Sequence, residues 1–292
     1  MTITKVVPVP QDRASAALAP QPAETLYALL RERAGAADRD QPAFSFLTQG
    51  ETISRSLSFA ELEQQARCIA VRLQRSTQPG DRVLLVYHAG IDYILAFWGC
   101  VLARTIAVPV LASTGRRTLP RLKRIVNDAR PAAMLTLCSI EKRLCPDDAH
   151  RHIVPALGNI RCLSTDDGEE IDPADWQAHA PDPAEIVFLQ YTSGSTSGPR
   201  GVMVSHANGM ANLILMWEAY RTRRGDRCIS WLPAYHDLGL IGGIIYPLYT
   251  ASHAIHFEPA AFLANPFRWL KAISDFRAQM TGGPDFSYAL CV

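Results

Sequence analysis

Between Tyr191 and Gly201 the chain reads Tyr-Thr-Ser-Gly-Ser-Thr-Ser-Gly-Pro-Arg-Gly, which places five hydroxyl side chains, two glycines and a guanidinium between Thr192 and Arg200. These residue types at this density bind anions. Gly194 and Gly198 let backbone N–H groups approach an anion with no Cβ in the way. Thr192, Ser193, Ser195, Thr196 and Ser197 add hydroxyl donors, and Arg200 adds a planar cationic fork suited to phosphate oxygens. A hydrophobic strand over 186–191 runs into the loop and a helix from about His206 to Arg221 follows it, so the unit reads as a phosphate cradle closed by Gly201. A plain polar surface loop is the alternative, and the density of donors after a buried strand weighs against it. The loop is not a Walker A motif, because no Gly-Lys-Ser/Thr follows the first glycine at the required spacing. It is not a nucleophile elbow either: Thr196 stands between Gly194 and Gly198, where a hydrolase would carry its serine.

Two further places invite chemistry. His236 lies in Trp231-Leu-Pro-Ala-Tyr-His-Asp-Leu-Gly239; a lone histidine is more often structural than catalytic, yet its ring can donate to developing negative charge. The apolar run Leu238 to Tyr249 contains Gly242 and Gly243; it reads equally as core and as one wall of an apolar tunnel. His253 with His256, and His150 with His152, are metal-like pairs that no cysteine or carboxylate cluster completes, so no metal site is expected from them.

The elements that must position these residues alternate between strand and helix. Ala43 to Leu57 reads as short strands around the turn at Gly50. Ser58 is an N-cap with Glu61 at capping-box spacing, and the apolar stripe Leu62, Ala66, Ile69, Leu73 carries the helix to about Gln74. Arg82 to Tyr87 and Ile106 to Leu111 read as buried strands, with an apolar helix over 91–103 between them. A helix over 120–128, strands over 133–137 and 160–163, and an acidic, proline-containing connection over 166–183 follow. Beyond the cradle come a strand at 228–231, a helix at 267–276 and a short strand at 278–281. The pattern predicts an α/β fold of layered, mostly parallel sheets flanked by helices. We expect a mobile arm at 1–22, a first subdomain at 23–180, and a second at 181–292 that is incomplete at its C-terminus.

Composition narrows the partners. Hydrophobic residues make up 48% and charged residues 20% of the 292, with a net charge of +1; this is a globular composition with no polyanion-binding bias, so no nucleic-acid partner is expected. Seven cysteines at irregular spacing, none in a Cys-x-x-Cys pair, fit reduced thiols in the cytoplasm, and Cys100 and Cys291 read as ordinary core residues. No run reaches the ~20 apolar residues of a membrane helix.

The 191–201 segment resembles the phosphate-binding signature of the adenylate-forming superfamily: acyl-CoA synthetases, luciferases and peptide-synthetase adenylation domains. Leu57-Ser-Phe-Ala-Glu-Leu62 and Gly99-Cys-Val-Leu-Ala-Arg-Thr-Ile-Ala-Val-Pro109 resemble its earlier motifs, and Trp231 to Gly239 resembles its Pro-x-x-His-x-x-Gly element. Within the superfamily the likeness is closest to fatty acyl-AMP ligases, through Ser197, Val202-Met-Val-Ser-His206 and Gly282-Gly-Pro-Asp-Phe-Ser-Tyr288. It covers about residues 24–292. Arg200 stands where the family often has lysine, and Asp285 where asparagine is usual.

The resemblance implies that a fatty-acid carboxylate attacks the α-phosphate of Mg-ATP, giving acyl-AMP and pyrophosphate, and that a phosphopantetheine thiol on an acyl carrier protein or polyketide synthase then takes the acyl group. It implies ATP and Mg2+ as cofactors, with residues 192–201 on the phosphates. It sets His236 by the carboxylate and α-phosphate, Gly282, Gly283 and Pro284 by the adenylate, and Gly242, Gly243 and Tyr288 by the acyl chain. An acyl-CoA ligase is the near alternative, and a non-catalytic acyl- or nucleotide-binding module a further one. A serine hydrolase acting through Ser193 or Ser195 is a remote third. The family's magnesium-binding glutamate, ribose-binding aspartate, hinge and C-terminal lysine have no counterpart before Val292. We therefore expect a truncated part of a longer enzyme, inactive by itself and prone to self-association.

Overall fold

In the computed structural model the described residues are 23–112, 118–144, 157, 160–192 and 200–292. The arm expected at 1–22 lies outside them. The strands are β1 (Pro42–Thr48), β2 (Thr52–Ser58), β3 (Arg82–Tyr87), β4 (Ile106–Leu111), β5 (Ala133–Thr136), β6 (Arg161–Ser164), β7 (Ile186–Thr192), β8 (Arg200–Ser205), β9 (Arg227–Ser230), β10 (His253–Phe257) and β11 (Met280–Thr281). The helices are α1 (Leu26–Gly35), α2 (Phe59–Gln74), α3 (Ile91–Ala103), α4 (Leu119–Ala129), α5 (Cys138–Leu144), α6 (His206–Tyr220), α7 (Tyr246–Thr250), α8 (Pro259–Ala264), α9 (Phe267–Asp275) and α10 (Asp285–Ala289).

Two sheets form. One has the order β6-β5-β3-β4-β7-β8, the other β11-β9-β10-β1-β2. Each is parallel except at one edge, where β8 runs antiparallel to β7 and β2 antiparallel to β1. The sheets are not consecutive halves of the chain. β7 and β8 complete the first sheet from beyond residue 180, and β1 and β2 complete the second from before it.

The largest apolar cluster explains this interleaving. It joins Phe44 and Ala254 of one sheet to Val83, Leu85 and Phe188 of the other through α1, α2 and α3. α3 is buried along nearly its whole length, as its all-round apolar sequence requires when a helix is enclosed between layers. The outer face of the six-stranded sheet packs on α4 and α5. The outer face of the five-stranded sheet packs on α8 and α9 around Trp231 and Trp269. Each large apolar side chain so enclosed contributes about 1.5–3 kcal/mol.

Two strands were not expected. β8 follows the cradle before α6, so a strand, rather than a helix N-terminus, receives the far end of the loop. β10 contains His253 and His256, whose polar side chains interrupt the apolar pattern expected of a strand buried on both faces. Leu238–Ile245 adopts a π-helix that runs directly into α7. The 166–183 connection holds one short 3-10 turn, Pro173–Asp175, and Arg72 ties it down through Asp167. No helix among the described residues is long and apolar enough to cross a membrane.

Candidate active site

Parallel strands of both sheets end on one side of the molecule: β3, β4 and β7 at Tyr87, Leu111 and Thr192, and β9, β10 and β11 at Ser230, Phe257 and Thr281. Ligands of open α/β sheets bind beyond such carboxyl ends. Two cavities lie there. One, of about 260 Å³, is lined by Tyr87, Tyr93, Leu111, Pro233, Ala234 and Glu258 among others. Its neighbour, of about 210 Å³, shares Leu111 and Tyr235 with it and adds Thr118, Arg121, Tyr191 and His236.

Of the cradle donors, Ser193, Gly194, Ser195, Thr196, Ser197 and Gly198 lie outside the described residues. Their flanks are placed: Thr192 and Arg200 are paired across the β7–β8 hairpin, and Arg200 is exposed at the start of β8. Gly201 pairs with Tyr191, and a Cβ on it would stand 2.9 Å from Tyr191 Cζ. Its place is therefore under an aromatic ring. The Tyr191 phenol donates to Asp128 Oδ2 at 2.6 Å. Burial, reinforced by the Asp128 carboxylate, pushes that phenol well above its ordinary pKa, so it stays a neutral donor. Arg121 Nη2 donates to the Tyr191 carbonyl at 3.0 Å, which fixes a guanidinium beside the mouth of the hairpin. Burial raises the pKa of the Tyr235 phenol, and the Arg121 charge offsets part of that rise.

His236 is exposed and lines the cavity with Arg121 and Tyr191. Its ring lies beside that of Tyr235, with centroids 5.4 Å apart. The loop that carries it is locked by its own backbone. His236 N–H donates to the Pro233 carbonyl at 3.0 Å, and Leu240 N–H donates to the His236 carbonyl at 2.8 Å. A Cβ at position 239 would meet the Pro233 oxygen at 2.2 Å, so only glycine fits. That contact is the physical content of the Pro-x-x-His-x-x-Gly spacing. From outside the loop, Tyr93 Oη donates to the Ala234 carbonyl at 2.9 Å and Gln190 Nε2 to the Tyr235 carbonyl at 2.9 Å. α3 and β7, packed on each other through Phe97 and Phe188, thus hold the loop that carries the histidine.

A third cavity, of about 130 Å³, is mainly apolar. Met216, Tyr220, Leu232, Leu238, Met280, Gly242, Gly243 and Gly282 are among its walls, with Ser230 at its floor. Gly242, Gly243 and Gly282 therefore come together. Gly283 does not join them; it packs against Ser287 and Trp269. Pro284 N-caps α10, with its carbonyl accepting from Ser287. Tyr288 is half-exposed against the Trp269 ring, with centroids 5.4 Å apart, and is no part of this cavity. Asp285 begins α10. No three His, Cys, Asp or Glu side chains among the described residues converge as a metal site.

Sequence reasoning did not single out Arg121, Asp128, Tyr93 or Gln190. Only Gln190 carried a signal, as a polar residue inside an otherwise apolar strand; the others reach the site from α3 and α4 through the fold.

Comparison with known proteins adds four findings. Residues 30–289 match the family model described as AMP-binding enzyme. The medium-chain-fatty-acid–[acyl-carrier-protein] ligase JamA of Moorena producens is 36% identical over 253 residues, spanning 86% of this chain and 42% of that protein. The long-chain-fatty-acid–AMP ligase FadD32 of Mycolicibacterium smegmatis is 33% identical, over 85% of this chain and 40% of that protein. A fatty acyl-adenylate ligase from L. pneumophila, solved in complex with acyl adenylate and pyrophosphate, superposes with a TM-score of 0.83 at 33% identity, over 97% of this chain and 47% of that one. The chain thus spans less than half the length of each of these proteins.

Proposed function

The chain belongs to the AMP-binding enzyme family, and from that premise we propose that it forms the N-terminal part of a ligase that activates a fatty acid with ATP as acyl-AMP and passes the acyl group to an acyl carrier protein or a polyketide synthase. The observation that carries this reading is the cluster of Arg121, Tyr191 and His236 around one cavity at the carboxyl ends of the strands, beside the hairpin that bears the hydroxyl-rich loop.

Each part has a role. Residues Thr192 to Arg200 hold the β- and γ-phosphates, where each charge-assisted hydrogen bond contributes roughly 1.5–3 kcal/mol. His236 donates to the charge that develops between the carboxylate and the α-phosphate. Arg121, held at the Tyr191 carbonyl, supplies fixed positive charge beside it. The apolar cavity at Gly242, Gly243 and Gly282 takes the acyl chain. ATP supplies the adenylyl group. Magnesium comes with the triphosphate, held by phosphate oxygens as is usual for that ion. Catalysis is chiefly positioning and charge stabilisation. The free cysteines, six among the described residues, fit a reducing cytoplasm.

Exchange of pyrophosphate into ATP by the longer protein tests the reading. Thr196→Ala together with Arg200→Ala is expected to abolish exchange while leaving the melting temperature in place; unchanged exchange with unchanged ATP affinity refutes it. Residues 1–292 alone are expected to fold and to form no acyl-AMP at a rate near that of the longer protein, which mass spectrometry of the product mixture checks.

A further inference from the structure

The apolar cavity beside the π-helix has a polar corner at Ser230. Ser230, the last residue of β9, lies in its wall and is 4% exposed. Its Oγ accepts a long hydrogen bond, 3.3 Å, from Leu232 N–H, and its own proton has no acceptor among the described residues. His256 is the register partner of Ser230 on β10 and is 8% exposed. Its Nε2 is buried with no well-formed hydrogen bond among the described residues, and the Gly243 backbone is the polar group nearest the ring. Gly243 brings the two to one place: a Cβ there would stand 3.2 Å from His256 Cε1 and 3.3 Å from Ser230 Oγ. Ser230 is itself a wall residue, while the His256 ring stands behind Gly243, where any side chain at 243 would come against it. Of the other walls, Met216, Leu232, Leu238 and Met280 are apolar, the Thr281 hydroxyl is already engaged with the Ile229 carbonyl and the Trp269 ring N–H, and Tyr220 is half-exposed to water.

A plain alkyl chain in this cavity leaves a hydroxyl proton and a ring nitrogen unpaired, and sites with buried, unspent polar groups discriminate strongly for ligands that pair them. We propose that the acyl chain this cavity takes bears oxygen, as a hydroxy or oxo substituent, and that Ser230 with His256 is the pair that reads it; the inference rests on the acyl-activating reading of the site. Ser230 donates its proton to the substrate oxygen. Neutral His256, in one tautomer or the other, donates Nε2–H to an oxo group or accepts the proton of a hydroxyl. Burial, which holds the pKa of that ring down at about 4, keeps it in the neutral form these roles need.

Calorimetric titration of the chain with decanoate and with decanoates carrying one hydroxyl or oxo group at each carbon in turn tests this. At one position the oxygenated acid is expected to bind about tenfold or more tighter than decanoate. In Ser230→Ala and in His256→Gln that ratio is expected to fall to about one, each variant being checked by thermal melting. The ratio is a readout that a merely structural role would not move. Equal affinity for decanoate and every oxygenated acid means that water satisfies the two groups and overturns the inference, with the acyl reading intact. A preference that survives both substitutions overturns the assignment to this pair. Failure of every acid to bind overturns the acyl reading of the cavity and the inference together.

Discussion

Gly239 shows how a single atom can fix a site. The Pro233 carbonyl occupies the space that a Cβ would need, at 2.2 Å, while the same carbonyl accepts from His236 N–H. Gly239→Ala must push the loop off that oxygen and carries His236 with it. We expect a loss of about 1–3 kcal/mol, read as a lower urea midpoint at unchanged slope. A variant as stable as the wild type would show the loop to be freer than its geometry implies. Three other histidines act on stability through protonation. Burial depresses His206, His253 and His256 to about 4. His206 Nδ1 accepts from Leu26 N–H at 3.2 Å, and His253 Nε2 lies 2.8 Å from Ser45 Oγ. In the unfolded chain each titrates near 6.5. Between those values the unfolded state holds more protons, so stability rises with pH across the window. The contribution is complete above about 6.5 and is lost as pH falls towards 4. A lower melting temperature at pH 5.0 than at 7.5 is expected, on the order of 1–2 kcal/mol per histidine, and His206→Gln should flatten the slope. A melting temperature independent of pH over that range would mean that these rings titrate normally.

At the scale of the element, local chemistry decides where helices begin. The Ser58 hydroxyl accepts from Glu61 N–H at 3.2 Å, while the Glu61 carboxylate accepts from Ser58 N–H at 2.8 Å. These bonds hold the Glu61 carboxyl below the usual carboxylate range. Ser58→Ala is expected to cost about 1 kcal/mol, and denaturant unfolding that shows no change would deny the cap its role. That helix was legible in the sequence to its last residue, because a capping box and a 3.6-residue apolar stripe are local signals. So were β3, β4 and α3, whose continuous apolar runs report burial on both sides. β8 and β10 were not. β8 leaves Val202 and Met203 exposed at 50% and 68%, so its strand character comes from pairing with β7 and not from an alternating face. β10 carries two histidines that its neighbours neutralise by burial. The loop from Trp231 to Gly239 was legible because its Pro, His and Gly cluster along the chain, and the Pro233–Gly239 contact accounts for their spacing; the cradle was read from residue types alone, and its central residues lie outside the described ones. It was illegible where helices supply single residues from far away, as Arg121 and Asp128 do from α4. Tyr288 marks the opposite limit: it lies six residues after Gly282 in sequence, yet it packs on Trp269 outside the cavity that Gly282 lines.

The whole molecule has one shared core and one uncovered flank. The strand–helix layers close on each other through α1, α2 and α3, so neither sheet is an independent unit. On the outer side of the five-stranded sheet, α8, α9 and α10 cover Trp231 and Trp269 but turn much apolar surface outward. Leu263 is 60% exposed, Phe267 63%, Leu270 40%, Phe286 52%, Tyr288 47% and Leu290 49%. Contacts of Trp231 with Phe286 and of Trp269 with Tyr288 make these helices neighbours over one face. Apolar patches of this kind on soluble proteins mark surfaces that associate. We therefore expect residues 1–292 to self-associate through this flank, with a mass in light scattering that grows with concentration. Phe267→Asp with Phe286→Asp places charge on two side chains more than half in water; Phe267 costs within about 0.5 kcal/mol and Phe286, whose ring also meets Trp231, about 1 kcal/mol, while a shared apolar contact would lose its anchors. The double variant should be monomeric at concentrations where the wild type is not, with a similar melting temperature. A wild type that stays monomeric throughout would show that the exposed flank is too dispersed to join two copies. A double variant that still associates would move the contact elsewhere, first to β8, an edge strand among the described residues, where Val202 and Met203 face solvent.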